Sequence, residues 1–459
     1  MSVSKKYEGW LASGFYNGLK NFSTPLFGLL STMLLARRAL TVEENGVWGL
    51  FLTVTAFIDT IRQGLIKNSL VKFINYSESH EHTDVLSAAF YLNAVITIVI
   101  AVLLFFFNVQ IATWLKMPGL APMMHTYEIG LLLLIPFMHF ESIIYGKLLY
   151  KGLFWTYLVR QGVPLLLIAI LYYSNNHITL NLLVWLFNLG ILFSAIVAYF
   201  TVKSSLSHSL VYSKKWVSKI WHFGKFAFGT GLSNMAFRNA DQFLLSSILG
   251  NKILNAYQNM ALRIINLADT PSQVLADILF PKSSKSDTSN NPERIKYYYE
   301  KTVGATLSFV LPAVIFIILF PKLFLAVLCG SKYYGAAPYL QLASISVVFL
   351  AFIKYYGVII DSTGKPAVNC LTTTIIALIQ IGLCIFFIKN FALMGAAYAL
   401  LITHVIGFIM TQYILRRSFN INFLNCFKYA FDFYPELFKI VLEKIGFKPK
   451  LVKQHATEE

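Results

Sequence analysis

The sequence predicts an all-α polytopic membrane protein of about twelve transmembrane helices, arranged as two six-helix lobes in parallel repeat. Three observations predict it. Apolar runs of about 20 residues, the length that crosses a ~30 Å hydrocarbon layer, recur along the chain. Only 13% of the 459 residues are charged and 57% are hydrophobic, whereas a soluble chain carries about 25% charged residues. The basic residues also fall preferentially in alternate connectors.

Taken in order, the runs place spans near 12–36, 47–65, 85–108, 124–146, 153–173 and 180–202, then 224–249, 257–280, 302–321, 337–360, 367–388 and 392–415. The first is diluted by Lys20; the fifth and sixth are cleanly apolar. Lys5 and Lys6 before an apolar stretch suggest a signal peptide, but Asn17, Lys20 and Asn21 interrupt that stretch, so it reads as a span. The resulting organisation is an N-terminal lobe at 1–205, a basic cytoplasmic connector at 206–223, a C-terminal lobe at 224–415 and a tail at 416–459. In the tail, aromatic and aliphatic residues alternate with lysines and Pro435 interrupts the run. It reads as two short amphipathic helices on the cytoplasmic leaflet.

Orientation follows from the basic residues. With both termini cytoplasmic, 26 of the 38 Lys and Arg lie in inner segments and 7 in outer loops, the remainder lying deeper in spans. That excess is the positive-inside pattern. The formal net charge of +17 is therefore assigned to topology and anionic lipid, and no nucleic-acid partner is expected. The four cysteines form no Cys-x-x-Cys pair, so neither a metal site nor a redox site is expected. No phosphate-binding Gly-x-x-x-x-Gly-Lys loop is present to couple ATP directly.

The two halves resemble each other. Setting residue n against n + 210 over Leu34–Lys72 aligns Asp59 with Asp269, Thr60 with Thr270, Gln63 with Gln273 and Lys72 with Lys282. Six spans per half give both halves the same orientation, a repeat about the membrane normal. Transporters built this way bind substrate between the halves and expose it to alternate sides.

Charged side chains within spans cost about 2.5–3.5 kcal/mol each on insertion scales. Here they are Lys20, Asp59, Arg62, Glu128, Glu141, Arg160, Arg238, Asp241, Arg263, Asp269 and Asp277. Asp59 with Arg62, and Arg238 with Asp241, are spaced i, i+3, so each pair either neutralises itself on one helix face or serves a ligand. Lys20 and Arg160 have no local acid and need a distant partner or an anionic ligand; Arg160 and Glu141 could instead snorkel from span ends. Guanidinium and ammonium groups suit a diphosphate, which makes Lys20, Arg62, Arg160, Arg238 and Arg263 the candidate diphosphate- or sugar-binding residues. Buried carboxylates can exchange a coupling cation, which makes Asp59, Asp241 and Asp269 the candidates for H+ or Na+. No other cofactor is expected.

Two stretches carry a family resemblance. Leu34-Leu-Ala-Arg-Arg38-Ala-Leu-Thr-Val-Glu43-Glu44-Asn-Gly46 resembles the Arg-x-Leu-x-x-Glu-Glu-x-Gly connector of the polysaccharide transporter (Wzx-type O-antigen and oligosaccharide flippase) branch of the multidrug/oligosaccharidyl-lipid/polysaccharide flippase superfamily. Asp241-Gln-Phe-Leu-Leu-Ser-Ser-Ile-Leu-Gly250, with Leu254, Asn255, Tyr257, Ala261 and Arg263, resembles the element opening that family's second half. The chain departs from the family at Thr41-Val42, where Gly-Pro is frequent, and at Asn255, where Gly is usual. The resemblance implies a MATE-like V-shaped cleft lined by spans one, two, seven and eight. It implies translocation of polyprenyl-diphosphate-linked oligosaccharide for O-antigen, capsule or exopolysaccharide across a bacterial inner membrane, coupled to an ion gradient. It also implies a monomer working with anionic lipids and other polysaccharide assembly proteins.

Two other readings compete. A cation-coupled multidrug extruder shares the fold, but its sites present carboxylates to cationic drugs, whereas here Lys20 and several arginines fall in the expected cleft. Peptidoglycan-precursor flippases of the superfamily carry two further spans. An integral-membrane polymerase or ligase needs catalytic groups in a sizeable outer loop; the longest outer connectors, near 109–123 and 322–336, hold no acid–base cluster. The chain is therefore not expected to be an enzyme.

Overall fold

The computed structural model describes residues 3–76, 81–174, 177–206, 213–284 and 291–444. The elements are α1 (Val3–Leu34), α2 (Val42–Tyr76), α3 (His82–Trp114), α4 (Leu120–Gly146), α5 (Tyr150–Tyr173), α6 (Leu180–Val202) and α7 (Lys214–Leu249). They continue as α8 (Lys252–Ala268), α9 (Thr270–Ser283), α10 (Pro292–Leu319), α11 (Pro321–Leu328), α12 (Ala337–Ser362), α13 (Pro366–Phe419) and α14 (Phe423–Lys444). No strand occurs among the described residues.

Eight of the described helices are long and apolar enough to cross a membrane: α2–α6, α10, α12 with the turn before it, and α13. The 54-residue α13 holds both expected spans 367–388 and 392–415, joined at Ala392, whose φ of 50° and ψ of −127° leave the helix. Gly395 follows because a Cβ there would sit 2.0 Å from the Phe387 carbonyl oxygen. The first, seventh and eighth expected spans are also helical, as α1, α7 and the pair α8–α9. Lys20, Arg238 with Asp241, and Arg263 with Asp269 dilute their apolar content.

Local chemistry sets the helix ends. Thr41 and Glu44 form a capping box at the start of α2: the Thr41 N–H donates to Glu44 Oε2 at 2.8 Å and the Glu44 N–H to Thr41 Oγ1 at 3.2 Å. α7 stops at Gly250 in the left-handed region, with φ of 64°. The break between α8 and α9 follows from Pro271, which occupies the first turn of α9, lacks an N–H and clashes with the preceding turn's carbonyl. The repeat-matched residue of α2 is Ile61, and α2 runs through unbroken.

The helices group into two compact units. The larger comprises Met1–Leu267, Ile317–Ser344 and Cys370–Thr403. One of its cores is built on Leu35, Phe51, Tyr127, Leu131 and Phe137; another, on Leu70, Val85, Ile143 and Trp216. The smaller comprises Ala268–Phe316, Ile345–Asn369 and His404–Glu459, around Tyr299, Phe352, Tyr355 and Tyr356.

In the smaller unit α14 is one helix with Pro435 inside it, rather than two short ones; proline deletes a single N–H donor, and the helix continues through it. α14 docks on α10. Glu300 accepts from the Asn422 N–H at 2.9 Å and from Asn425 Nδ2 at 3.0 Å, and Tyr434 donates to the Ser308 carbonyl at 2.5 Å. Gly304 lets the helices close: a Cβ there would lie 2.5 Å from Tyr429 Cβ. Leu424 and Phe431 remain exposed on the far face. The last part of the tail, 445–459, and the side chains of Lys5 and Lys6 lie outside the described residues.

Candidate functional site

In the larger unit five helices converge on one charged cluster. Asp59, Arg62 and Lys67 project from α2, Tyr157 and Arg160 from α5, Glu141 and Tyr145 from α4, Asn93 and Thr97 from α3, and Lys20 from α1. Asp59 stands between two arginines: its Oδ1 lies 3.6 Å from Arg62 Nη1 and its Oδ2 accepts from Arg160 Nη2 at 3.3 Å. Arg62 is completely buried, with Nε donating to Thr97 Oγ1 at 2.9 Å and Nη2 to Asn93 Oδ1 at 3.4 Å. Thus Arg62 does pair with Asp59, as its i, i+3 spacing allows. Arg160, which had no partner near it in sequence, finds the same carboxylate. Its guanidinium also stacks 4.7 Å from the Phe137 ring centroid, and its buried Nε has no acceptor.

Beside this triad, the fully buried Glu141 accepts from Lys67 Nζ at 3.0 Å and from the Tyr157 hydroxyl at 2.6 Å. Lys67 lies 4.0 Å from the Tyr145 ring centroid, and Lys20 donates to the Tyr145 hydroxyl at 3.0 Å. Lys20, Arg62, Lys67 and Arg160 are thus gathered around Asp59 and Glu141.

Arg263 lies apart from that cluster. It reaches the wall of a cavity of about 80 Å³ with Gly28, Ser31 and Thr32 of α1, Trp48 and Leu52 of α2, and Gln161 and Pro164 of α5. Its Nη1 makes a long contact, 3.5 Å, to the Gly28 carbonyl. Its buried Nε has no acceptor, and no carboxylate pairs with it among the described residues.

Asp241 is 1% exposed and has no cation beside it among the described residues. Its Oδ2 accepts from Gln258 Nε2 at 2.9 Å and its Oδ1 from the Gln242 N–H at 2.9 Å. Thr53 of α2 closes the network by donating to Gln242 Oε1 at 2.6 Å. The Arg238–Asp241 pair that the spacing allows does not form: Asp241 turns into the packed interior while Arg238 is exposed.

In the smaller unit Asp269 occupies the break between α8 and α9, and its Oδ2 lies 2.5 Å from Lys354 Nζ of α12. Its Oδ1 is buried without a donor. Glu128 pairs instead with His125. The side chain of Asp277 lies outside the described residues.

Sequence reasoning missed Lys67 and Lys354 as ion-pair partners because both read as topological charges near inner span ends. One signal was available for Lys67: it follows Asp59 by eight residues, about two turns along the same helix. No cluster of three or more metal-ligating side chains occurs among the described residues.

This fold and these enclosed charges define a polytopic all-α membrane protein of the MATE-like class. The chain belongs to the polysaccharide biosynthesis protein family, whose model matches residues 34–338. Over 334 residues it is 24% identical to the lipopolysaccharide biosynthesis protein WzxC of Escherichia coli strain K12, covering 69% of this chain and 62% of that one. The chain spans between 43% and 62% of the length of the curated relatives it matches. Among solved structures, it resembles the lipid II flippase MurJ in an inward closed conformation, with a TM-score of 0.75 at 15% identity, covering 96% of this chain and 94% of that one. It also resembles an inward-facing multidrug resistance MATE family transporter, with a TM-score of 0.72 at 15% identity, covering 87% of this chain and 99% of that one. The expected family and fold class are both borne out.

Proposed function

We propose that the protein is a flippase that moves a polyprenyl-diphosphate-linked oligosaccharide (an O-antigen, capsule or exopolysaccharide unit) across a bacterial inner membrane. Its two six-helix lobes, 1–205 and 224–415, alternate access, and both termini are cytoplasmic. It works as a monomer among anionic lipids, alongside other polysaccharide assembly proteins. The observation that carries the reading is Arg263: a half-buried guanidinium whose enclosed Nε has no acceptor and which has no carboxylate beside it among the described residues, at the wall of a cavity. Burying such a charge without a partner is strongly unfavourable, so a ligand anion is the natural complement. The basic side chains gathered around Asp59 point to the same chemistry, with Arg160 and Lys20 half-buried and Arg62 the buried support that holds Asp59.

Coupling to H+ or Na+ is assigned to Asp241, since a carboxylate enclosed by amide and hydroxyl groups and lacking a basic partner takes up a cation when the site opens. Asp59 and Asp269 already hold protein cations and serve coupling less well. The multidrug-extruder reading draws on the shared fold. The guanidinium groups of Arg160 and Arg263 disfavour it, because an organic cation would meet them.

The test is leaflet exchange of a fluorescent undecaprenyl-diphosphate oligosaccharide in proteoliposomes. Exchange should require the protein, fall at least about tenfold in Arg263→Ala, as loss of one charge-assisted phosphate contact predicts, and respond to an imposed ion gradient only when Asp241 is intact. Gradient-driven efflux of organic cations with no lipid exchange would replace this reading with the multidrug one.

A further inference from the structure

Three of the seven basic residues that the positive-inside pattern places outside have an unusual use in the larger unit. None of the three is in an ion pair among the described residues; each donates to a main-chain carbonyl at the end of a helix from the other half of the sequence. Lys116, between α3 and α4, donates to the Ile248 carbonyl at 2.6 Å, in the last turn of α7. Lys332, just before α12, donates to the Leu40 carbonyl at 2.7 Å, where the turn after α1 ends. Arg37, in that same turn, donates to the Val327 carbonyl in the last turn of α11. Carbonyls at helix C-termini lack intrahelical donors and carry partial negative charge, so they bind cations.

The backbone is shaped for these interactions. Lys116 adopts a left-handed conformation, with φ of 54°, uncommon for a residue with a side chain. Facing it is Gly250, also left-handed, where a Cβ would lie 2.8 Å from Lys116 Cβ. Ser246 ties the same turn to the Leu115 carbonyl at 2.5 Å. Nearby, Gly46 brings α2 against α8 so closely that a Cβ would lie 2.0 Å from the Lys252 carbonyl oxygen.

We infer that Arg37, Lys116 and Lys332 form the latch of an outer gate, which holds the two halves together at that end and releases to let substrate leave. This rests on the alternating-access reading above. Cation-to-carbonyl hydrogen bonds suit a latch because they need no buried counter-charge: once released, the cation and the helix end are each solvated again. Release must precede exit, so weakening the latch increases the time spent open outward.

The test replaces the four native cysteines and introduces Ser31→Cys, which lines the Arg263 cavity. Labelling by a membrane-impermeant maleimide added outside intact cells then reports outward opening, whatever the cargo. Arg37→Ala, Lys116→Ala and Lys332→Ala combined should raise the labelling rate roughly fivefold to a hundredfold, the range expected when three cation–helix-terminus interactions are removed together. Arg37→Lys, Lys116→Arg and Lys332→Arg combined should restore the slow rate, which a misfolded background would not do. Equal labelling in the parent, alanine and conservative variants would overturn the latch. Faster labelling in the alanine variant without any oligosaccharide-lipid exchange would retain the latch and sink the flippase assignment.

Discussion

At the scale of single residues, the buried charges divide into those the protein neutralises itself and those it leaves for a ligand. Glu141 belongs to the first group: within the larger unit Lys67 supplies its counter-charge, and Lys67 and Tyr157 both donate to its Oε1. Glu141→Gln leaves Lys67 without its counter-charge, and breaking a buried pair from one side costs about 3–5 kcal/mol. The expected result is a clear fall in Tm in detergent, largely recovered in the Glu141→Gln/Lys67→Met double variant; a double variant as unstable as the single would show that packing, not charge, sets the loss. Arg263 belongs to the second group. Arg263→Met should preserve Tm or raise it, because it removes a half-buried charge that has no carboxylate partner among the described residues, while abolishing binding of the anionic headgroup. A thermal melt run beside a binding titration separates these effects. Which group a residue joins was only partly legible in the sequence. Spacing brought Asp59 to Arg62, but the second arginine on Asp59 comes from 101 positions away, and Asp241 ignores the arginine three residues before it. Local spacing lists the pairs a helix permits; tertiary packing selects among them.

At the scale of elements, the motif that carried the family resemblance is explained by its interactions. Thr41 and Glu44 cap α2, Gly46 admits the α8 backbone, and Arg37 reaches the end of α11. Thr41→Val should cost about 1 kcal/mol through loss of the cap, measured by thermal unfolding. Gly46→Ala should cost more, since its Cβ meets main chain rather than a flexible side chain. Gly18→Ala is the matched control: nothing lies within 4 Å of a Cβ there, and alanine favours the helix by roughly 0.5–1 kcal/mol. A Gly46→Ala variant as stable as Gly18→Ala would mean that α2 and α8 are not in main-chain contact. The repeat matched Asp59 to Asp269 by residue type, but their settings differ. α2 runs straight through Asp59, whereas Pro271 breaks the chain after Asp269. That divergence was visible in the sequence as Pro271 standing opposite Ile61.

At the scale of the whole molecule, the membrane class was legible because an apolar span must satisfy its own backbone, and a helix does so within one continuous stretch. Composition and length therefore located the spans without knowledge of their packing. The three that fall below a strict apolar threshold, α1, α7 and α8–α9, are those that bring Lys20, Asp241, Arg263 and Asp269 into the fold. Weak hydropathy marks only these candidates, since Asp59, Arg62 and Arg160 lie on α2 and α5, which remain apolar enough to span a membrane. The pairing of those groups depended on packing between distant helices and was legible only in the structure.

In the proposed flippase, Arg263, which has no carboxylate partner among the described residues, holds an anionic lipid-linked headgroup. Leaflet exchange of a fluorescent undecaprenyl-diphosphate oligosaccharide in proteoliposomes, compared between the wild-type chain, Arg263→Ala and Arg263→Lys, tests it most directly. Exchange should depend on the protein, fall at least about tenfold in Arg263→Ala and be partly restored in Arg263→Lys, where a point charge replaces the planar fork. Exchange at the wild-type rate in Arg263→Ala would contradict it.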